Sequence, residues 1–138
     1  MDETVIRVNG EIVELWPLVA PLLQRALDAA AGELTLDDVG LSIATQRRQL
    51  WLTTDSKRIS GAAVTELVKY EQLTAVRVVL LGGQDMDDWS PMMEAAIKDF
   101  GRREGARRLE AVGRKGLERK LRPLGWEPKF VVYTKEIV

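Results

Sequence analysis

The run Ala75-Val76-Arg77-Val78-Val79-Leu80-Leu81 constrains this chain more than any other feature. It is almost continuously apolar, and only Arg77 interrupts it. Such a run fits a central strand that is covered on both faces, so apolar helix faces must exist on either side. A membrane span needs about 20 apolar residues, and the chain has no segment of that kind. Gly82-Gly83 is expected to stop the strand. Upstream, residues 49–54 read as a strand around Leu50, Trp51 and Leu52. Asp55-Ser56-Lys57 reads as a polar turn, and residues 61–70 as a strand whose bulkier set includes Val64, Glu66, Val68 and Tyr70. The short connections predict an antiparallel meander of these three strands.

The covering helices are visible on both sides. Thr4 to Val8 reads as an opening strand closed by Asn9-Gly10. Leu15, Val19, Leu22, Leu23, Ala26 and Leu27 then recur at three and four, a helical stripe that contains Pro21 and ends near Gly32. Thr35 with Asp38 forms a cap-like start for a second helix with Leu36, Val39 and Ile43 on its apolar face. After the apolar strand, Asp88-Trp89-Ser90-Pro91 reads as a helix entry, with Ser90 as cap and Pro91 at the first helical position. Met93, Ala96, Ile97 and Phe100 form the buried stripe of that helix. Residues 107–112 read as a strand, and strand–helix–strand in this order predicts a right-handed parallel crossover. Residues 116–124 read as a helix with Leu117, Leu121 and Leu124 inward, and residues 130–138 as a closing strand. The expected architecture is α+β: a mixed central sheet of about six strands with helices on both faces, in the order β-α-α-β-β-β-α-β-α-β. The 138 residues fit a single domain, 1–138.

Composition excludes several chemistries. There is no cysteine and no histidine, so disulfides, thiolate nucleophiles, His-based triads and Cys/His zinc sites are ruled out. Lys and Arg number 20 against 21 Asp and Glu, which removes global basicity as an argument for nucleic acid. Residues 102–129 are basic, but Glu104, Glu110 and Glu118 supply local partners, so a solvated face is the simplest account. Asp85, Asp87 and Asp88 lack the spacing of a calcium loop, so no metal is expected. The acidic Met1-Asp2-Glu3 start is unlike a secretory signal, and the expected location is the cytoplasm.

The element order, with Gly125-Trp126 following the last helix, resembles the GCN5-related N-acetyltransferase (GNAT) fold. The resemblance covers the whole chain by topology, and its motifs are moderately specific. It implies an acyl-CoA-dependent N-acyltransferase that takes acetyl-CoA or another acyl-CoA between the strands of residues 75–81 and 107–112. The pyrophosphate would then meet backbone amides around Leu81, Gly82, Gly83, Gln84, Asp88 and Trp89, with Arg114 nearby. A helix N-terminus presents unpaired amides and partial positive charge to such a group. The implied catalytic candidates are Glu66 as general base and Tyr133 as a residue able to reach the groove.

The sequence departs from the family pattern at the same place. Asp85, Asp87 and Asp88 carry the sign of the pyrophosphate. Leu121 stands where many members have the tyrosine that protonates the leaving thiolate, and Arg114 where an asparagine is usual. The resemblance therefore supports two readings. One is an acyltransferase with a degenerate cofactor loop and an unidentified amine acceptor. The other is a non-catalytic GNAT-fold protein that binds a protein partner, of the divergent kind found among phage and virion components. Exposed aromatics at Trp16 or Trp126 would favour a homo-oligomer. Neither nucleic acid nor a membrane is an expected partner.

Overall fold

The structure is a computed structural model that describes residues 4–9, 12–29, 32–55, 58–113 and 116–138. Among these residues the five strands are β1 (Thr4–Val8), β2 (Gln49–Thr54), β3 (Ile59–Lys69), β4 (Thr74–Gly83) and β5 (Arg108–Ala111). They lie in sequence order in one sheet. β1 to β4 are antiparallel neighbours, and β5 joins β4 in parallel. α1 (Ile12–Asp28) and α2 (Leu36–Ala44) precede the meander, α3 (Met86–Arg103) makes the crossover, and α4 (Leu117–Leu121) runs into a 3-10 turn at Arg122–Leu124.

Two apolar layers sandwich the sheet, as the run at 75–81 requires. On one face, Val19, Leu23 and Leu27 of α1 and Val39 and Ile43 of α2 pack on Leu50, Leu52, Ala62, Val64 and Leu80. On the other, Met93, Ile97 and Phe100 of α3, with Trp89, cover Trp51, Ala63 and Val76. Burying aliphatic and aromatic side chains of this kind is worth about 1.5–3 kcal/mol each, which makes these layers the main favourable contribution to folding. Trp51 and Phe100 meet edge to face at 5.5 Å, and the Arg7 guanidinium lies 4.8 Å from the Phe100 ring centre. One buried polar chain crosses this layer. The Trp51 indole donates to Thr65 Oγ1 at 2.9 Å, and Thr65 donates to Gln49 Oε1 at 2.8 Å.

α2 starts as expected. The Thr35 hydroxyl accepts from the Asp38 amide at 3.2 Å, and Asp38 Oδ2 accepts from the Thr35 amide at 2.9 Å, a reciprocal capping box. Those hydrogen bonds hold the Asp38 carboxyl below the usual carboxylate range. α1 runs through both Pro17 and Pro21. Both prolines sit on its exposed side, where carbonyls left without a donor can meet water.

Four expectations need correction. Gly82-Gly83 does not stop β4 but forms its last two residues. The Ser90-Pro91 entry is not the start of α3, which begins at Met86 with Asp85 in a left-handed conformation at its cap. Trp89 decides this: it is fully buried and its indole donates to the Gln84 carbonyl at 2.6 Å, which folds the preceding residues into the first turn. Leu124 is exposed rather than inward. The closing strand over 130–138 is not formed. Among the described residues these belong to no strand and are all exposed, so the sheet has five strands rather than six.

Close packing around Trp89 depends on glycine. A Cβ on Gly61 would lie 2.4 Å from the Trp89 ring. Gly61→Ala should therefore destabilise the protein by about 1–3 kcal/mol in chemical denaturation. Combining it with Trp89→Leu should cost less than the sum of the single changes. Additive costs would contradict the contact.

Candidate functional site

The pairing of β5 with β4 runs only from Ala75↔Arg108 to Val78↔Ala111, whereas β4 continues to Gly83. A register shift lies on the other side of β4. There Val64 faces Leu80 and Thr65 faces Val78, so Val79 is an extra residue in the ladder. A bulge bends its own strand and sharpens its twist. It falls one residue past the last β4–β5 pair, where the ladder between the two strands ends. Beyond the last pair, Val79 and Leu81 are partly buried and Val112 is exposed.

β4 leads directly into the corner that opens α3. Leu81, Gly82, Gly83, Gln84, Asp88 and Trp89 are all brought together here. The glycines serve packing within the chain. A Cβ on Gly82 would lie 2.5 Å from the Leu22 carbonyl oxygen of α1. Gly83 adopts φ 143°, and a Cβ there would lie 2.4 Å from the Ser60 carbonyl oxygen. The Gln84 amide donates to that same Ser60 carbonyl at 3.1 Å. Trp89 fills the inside of the corner, while Asp85, Asp87 and Asp88 are exposed around the N-terminus of α3. Arg58 reaches Asp85 at 3.8 Å. Arg58 also lines a surface hollow of about 450 Å³, together with Leu15, Leu18, Thr54, Asp55 and Ile59, so the hollow adjoins the corner.

The other candidate residues are placed differently. Glu66 lies one strand away, where its Oε1 accepts from Arg48 Nε at 2.8 Å. That carboxylate is committed to an ion pair. Tyr133 lies in the exposed stretch 130–138 and is not brought to the corner. Arg114 falls outside the described residues.

A cluster that the sequence did not signal bridges β3, β4 and β5. The Tyr70 hydroxyl donates to Glu110 Oε1 at 2.7 Å, and Arg77 donates to the same oxygen through Nε at 3.0 Å and Nη2 at 2.8 Å. Arg108 lies 3.4 Å from Glu110 Oε2. Arg77 and Glu110 are register partners, so the cluster ties β4 to β5 one pair before their ladder ends. The only local hint was Arg77, a charge inside the otherwise apolar run of β4. Partial burial would raise the Glu110 carboxyl, but hydrogen bonds from Tyr70 and Arg77 and the charges of Arg77 and Arg108 outweigh it and hold it below its usual value.

No protein-family model and no curated protein sequence matches the chain. Solved structures do. A ribosomal-protein-alanine N-acetyltransferase from Brucella melitensis biovar Abortus 2308 superposes with a TM-score of 0.75 at 12% identity, over 99% of this chain and 100% of that one. An aminoglycoside N-acetyltransferase in complex with CoA gives 0.73 at 14%, over 98% and 95%. A GNAT family acetyltransferase from Staphylococcus aureus subsp. aureus gives 0.72 at 11%, over 99% and 100%.

A lowered folded-state value means that Glu110 adds stability above its unfolded value near 4.5 and loses it as the pH falls through the folded value. Glu110→Gln should therefore cost about 1 kcal/mol at pH 7, a modest figure because solvent screens the pair, and should flatten the loss of stability below pH 4.5. Parallel pH–stability curves for the two proteins would contradict this assignment.

Proposed function

From the GNAT fold that this chain carries, we propose that it binds an acyl-CoA thioester in the opening between β4 and β5 and transfers the acyl group to an amine. The observation that supports this most is the end of the β4–β5 ladder at Val78↔Ala111 while β4 runs on to Gly83. An extended amide-bearing arm can add to the unpaired edge of β4 as a strand would, with backbone hydrogen bonds holding it in line. The solved neighbour bound to CoA has the same overall fold.

The fit is good along the arm and poor at its far end. Asp85, Asp87 and Asp88 stand where a pyrophosphate would approach the N-terminus of α3. The helix amides attract the anion, while the three carboxylates oppose it. The expected result is weak binding with most of the grip on the acyl-pantetheine half.

Transfer needs little from side chains. The amine nitrogen bonds to the thioester carbonyl carbon, the C–S bond breaks, and the amine gives up a proton. A thiol with a value near 8.5 leaves readily as thiolate, so a dedicated acid at the position of Leu121 is dispensable. Holding the two reactants in line supplies most of the acceleration. Glu66 would serve as base only after release from Arg48. The hollow beside Arg58 adjoins the corner and would offer a concavity for an acceptor.

The commitment of Glu66 to Arg48, with Asp85, Asp87 and Asp88 around α3, favours one second reading, a non-catalytic GNAT-fold protein that works through protein contacts. Titration with acetyl-CoA separates the two. Asp87→Asn/Asp88→Asn should tighten binding by roughly tenfold, equivalent to removing about 1.4 kcal/mol of repulsion. In the unaltered protein, affinity should rise with salt as the repulsion is screened, and the variant should lose that trend. Absence of saturable binding by both proteins at millimolar ligand would overturn the acyltransferase reading in favour of the second.

A further inference from the structure

We propose that the hollow at the C-terminal end of α3 is an anion site that holds the phosphoryl group of a small phosphorylated ligand. Lys98, Gly101, Arg102, Ala106, Arg107 and Leu109 line a concavity of about 170 Å³ there, together with Arg108. No carboxylate is among these lining residues. The acids expected to neutralise this basic stretch are engaged elsewhere. Glu110 takes Arg77 and Arg108, and Glu118 takes Arg122. Glu104 pairs with neither Arg102 nor Arg107, and among the described residues those two arginines have no ion pair. Lys98 reaches Glu94 at 3.6 Å, but Glu94 also accepts from the Trp126 indole. Cations left without counter-charge around a concavity make a local positive field that an anion complements.

The backbone fixes where these cations stand. α3 closes with two nested hydrogen bonds: the Ala106 amide donates to the Gly101 carbonyl at 2.8 Å, and the Gly105 amide to the Arg102 carbonyl at 3.2 Å. Gly105 supplies the φ of 77° that this closure requires. The Arg107 amide then donates to the Thr74 carbonyl of β4 at 2.9 Å. Arg102 and Arg107 are thus rooted on either side of one rigid turn, and a ligand has little main chain to order. The same bonds answer an electrostatic objection. A helix C-terminus carries partial negative charge, which disfavours an anion. Here the Gly101 and Arg102 carbonyls already accept from amides, and the Phe100 carbonyl accepts from the Glu104 amide at 3.0 Å. Size and donor type give the ligand class. Pockets that enclose a whole drug-sized molecule have about 300–1,000 Å³, so this hollow takes a head group and leaves the rest outside. A guanidinium fork bonds two oxygens at once, and a phosphoryl group offers enough oxygens for both arginines and Lys98 together. The hollow lies roughly 20 Å along α3 from the Met86 corner, so it is a separate site.

Titration of the full chain with inorganic pyrophosphate at constant ionic strength, followed by amide NMR, tests the assignment. The Gly101, Gly105, Ala106 and Arg107 signals should move together along one saturable curve, while those of Gln84 to Asp88 stay in place. Arg102→Gln/Arg107→Gln should weaken binding by roughly tenfold or more, and Arg107→Lys, which keeps the charge but loses the fork, by less. Arg103→Gln removes a charge that is bonded to Asp99 and should leave the affinity unchanged. No saturation at millimolar pyrophosphate, or an unchanged double variant, would overturn the proposal. So would equal losses in the Arg103 and double variants, the mark of a diffuse surface charge. An oligouridylate that binds through the same arginines roughly tenfold tighter than pyrophosphate would overturn it in favour of a nucleic-acid backbone. None of the substituted residues belongs to the end of β4 or to its corner, so this site can fail while the acyl-CoA reading stands, and the reverse.

Discussion

Trp89 is fully buried, and neither glycine facing it, Gly61 or Gly83, has room for a methyl group. Much of the architecture around the candidate site follows from seating this ring. Its indole holds the Gln84 carbonyl, so the chain turns at Gln84 and Asp85 and α3 begins at Met86. Its flat face requires β3 and the end of β4 to carry glycine at facing positions, and Gly61 and Gly83 are register partners. Gly82, between them and α1, allows the Leu22 carbonyl to approach the sheet. The corner is thus a packed joint between both layers, and its outer surface is left to the exposed acids.

The bulge sits between that joint and a second anchor. β4 is held at its lower end by the Arg77–Glu110–Tyr70 cluster and at its upper end by the Trp89 corner. The extra residue at Val79 lies between these anchors, one position past the last β4–β5 pair. The end of the β4–β5 ladder is thus a feature of the backbone and needs no particular side chain. The backbone thus follows the fold of solved neighbours at 11–14% identity.

Local chemistry was legible where it acted locally. Thr35 and Asp38 announced their capping box, and the Leu50–Trp51–Leu52 run announced β2. The α1 and α3 stripes placed the core residues that the structure buries. The apolar content of 75–81 correctly implied cover on both faces. What failed was set by distant contacts. Ser90-Pro91 is a sound cap signal, but burial of Trp89 carries more free energy than a cap and moved the helix start upstream. Gly82-Gly83 read as a strand end because the approach of Leu22 and Ser60 cannot be seen locally. Val79 carries no bulge signature, and the Arg48–Glu66 and Arg77–Glu110 pairs depend on register. The pattern at 130–138 reads as a strand, but pattern says nothing about whether an edge in the same chain is within reach.

The claim on which the functional account rests is that β4 beyond Val78 offers an unpaired edge that an acyl-CoA arm can occupy. Residue-resolved hydrogen exchange of the Val79 to Gly83 amides, with and without acetyl-CoA, tests it most directly. The account predicts that the amides facing away from β3 exchange fast in the free protein and slow when the ligand is added, while those bonded to β3 stay protected in both states. Uniform protection without ligand, or rates that acetyl-CoA leaves unchanged, would contradict it.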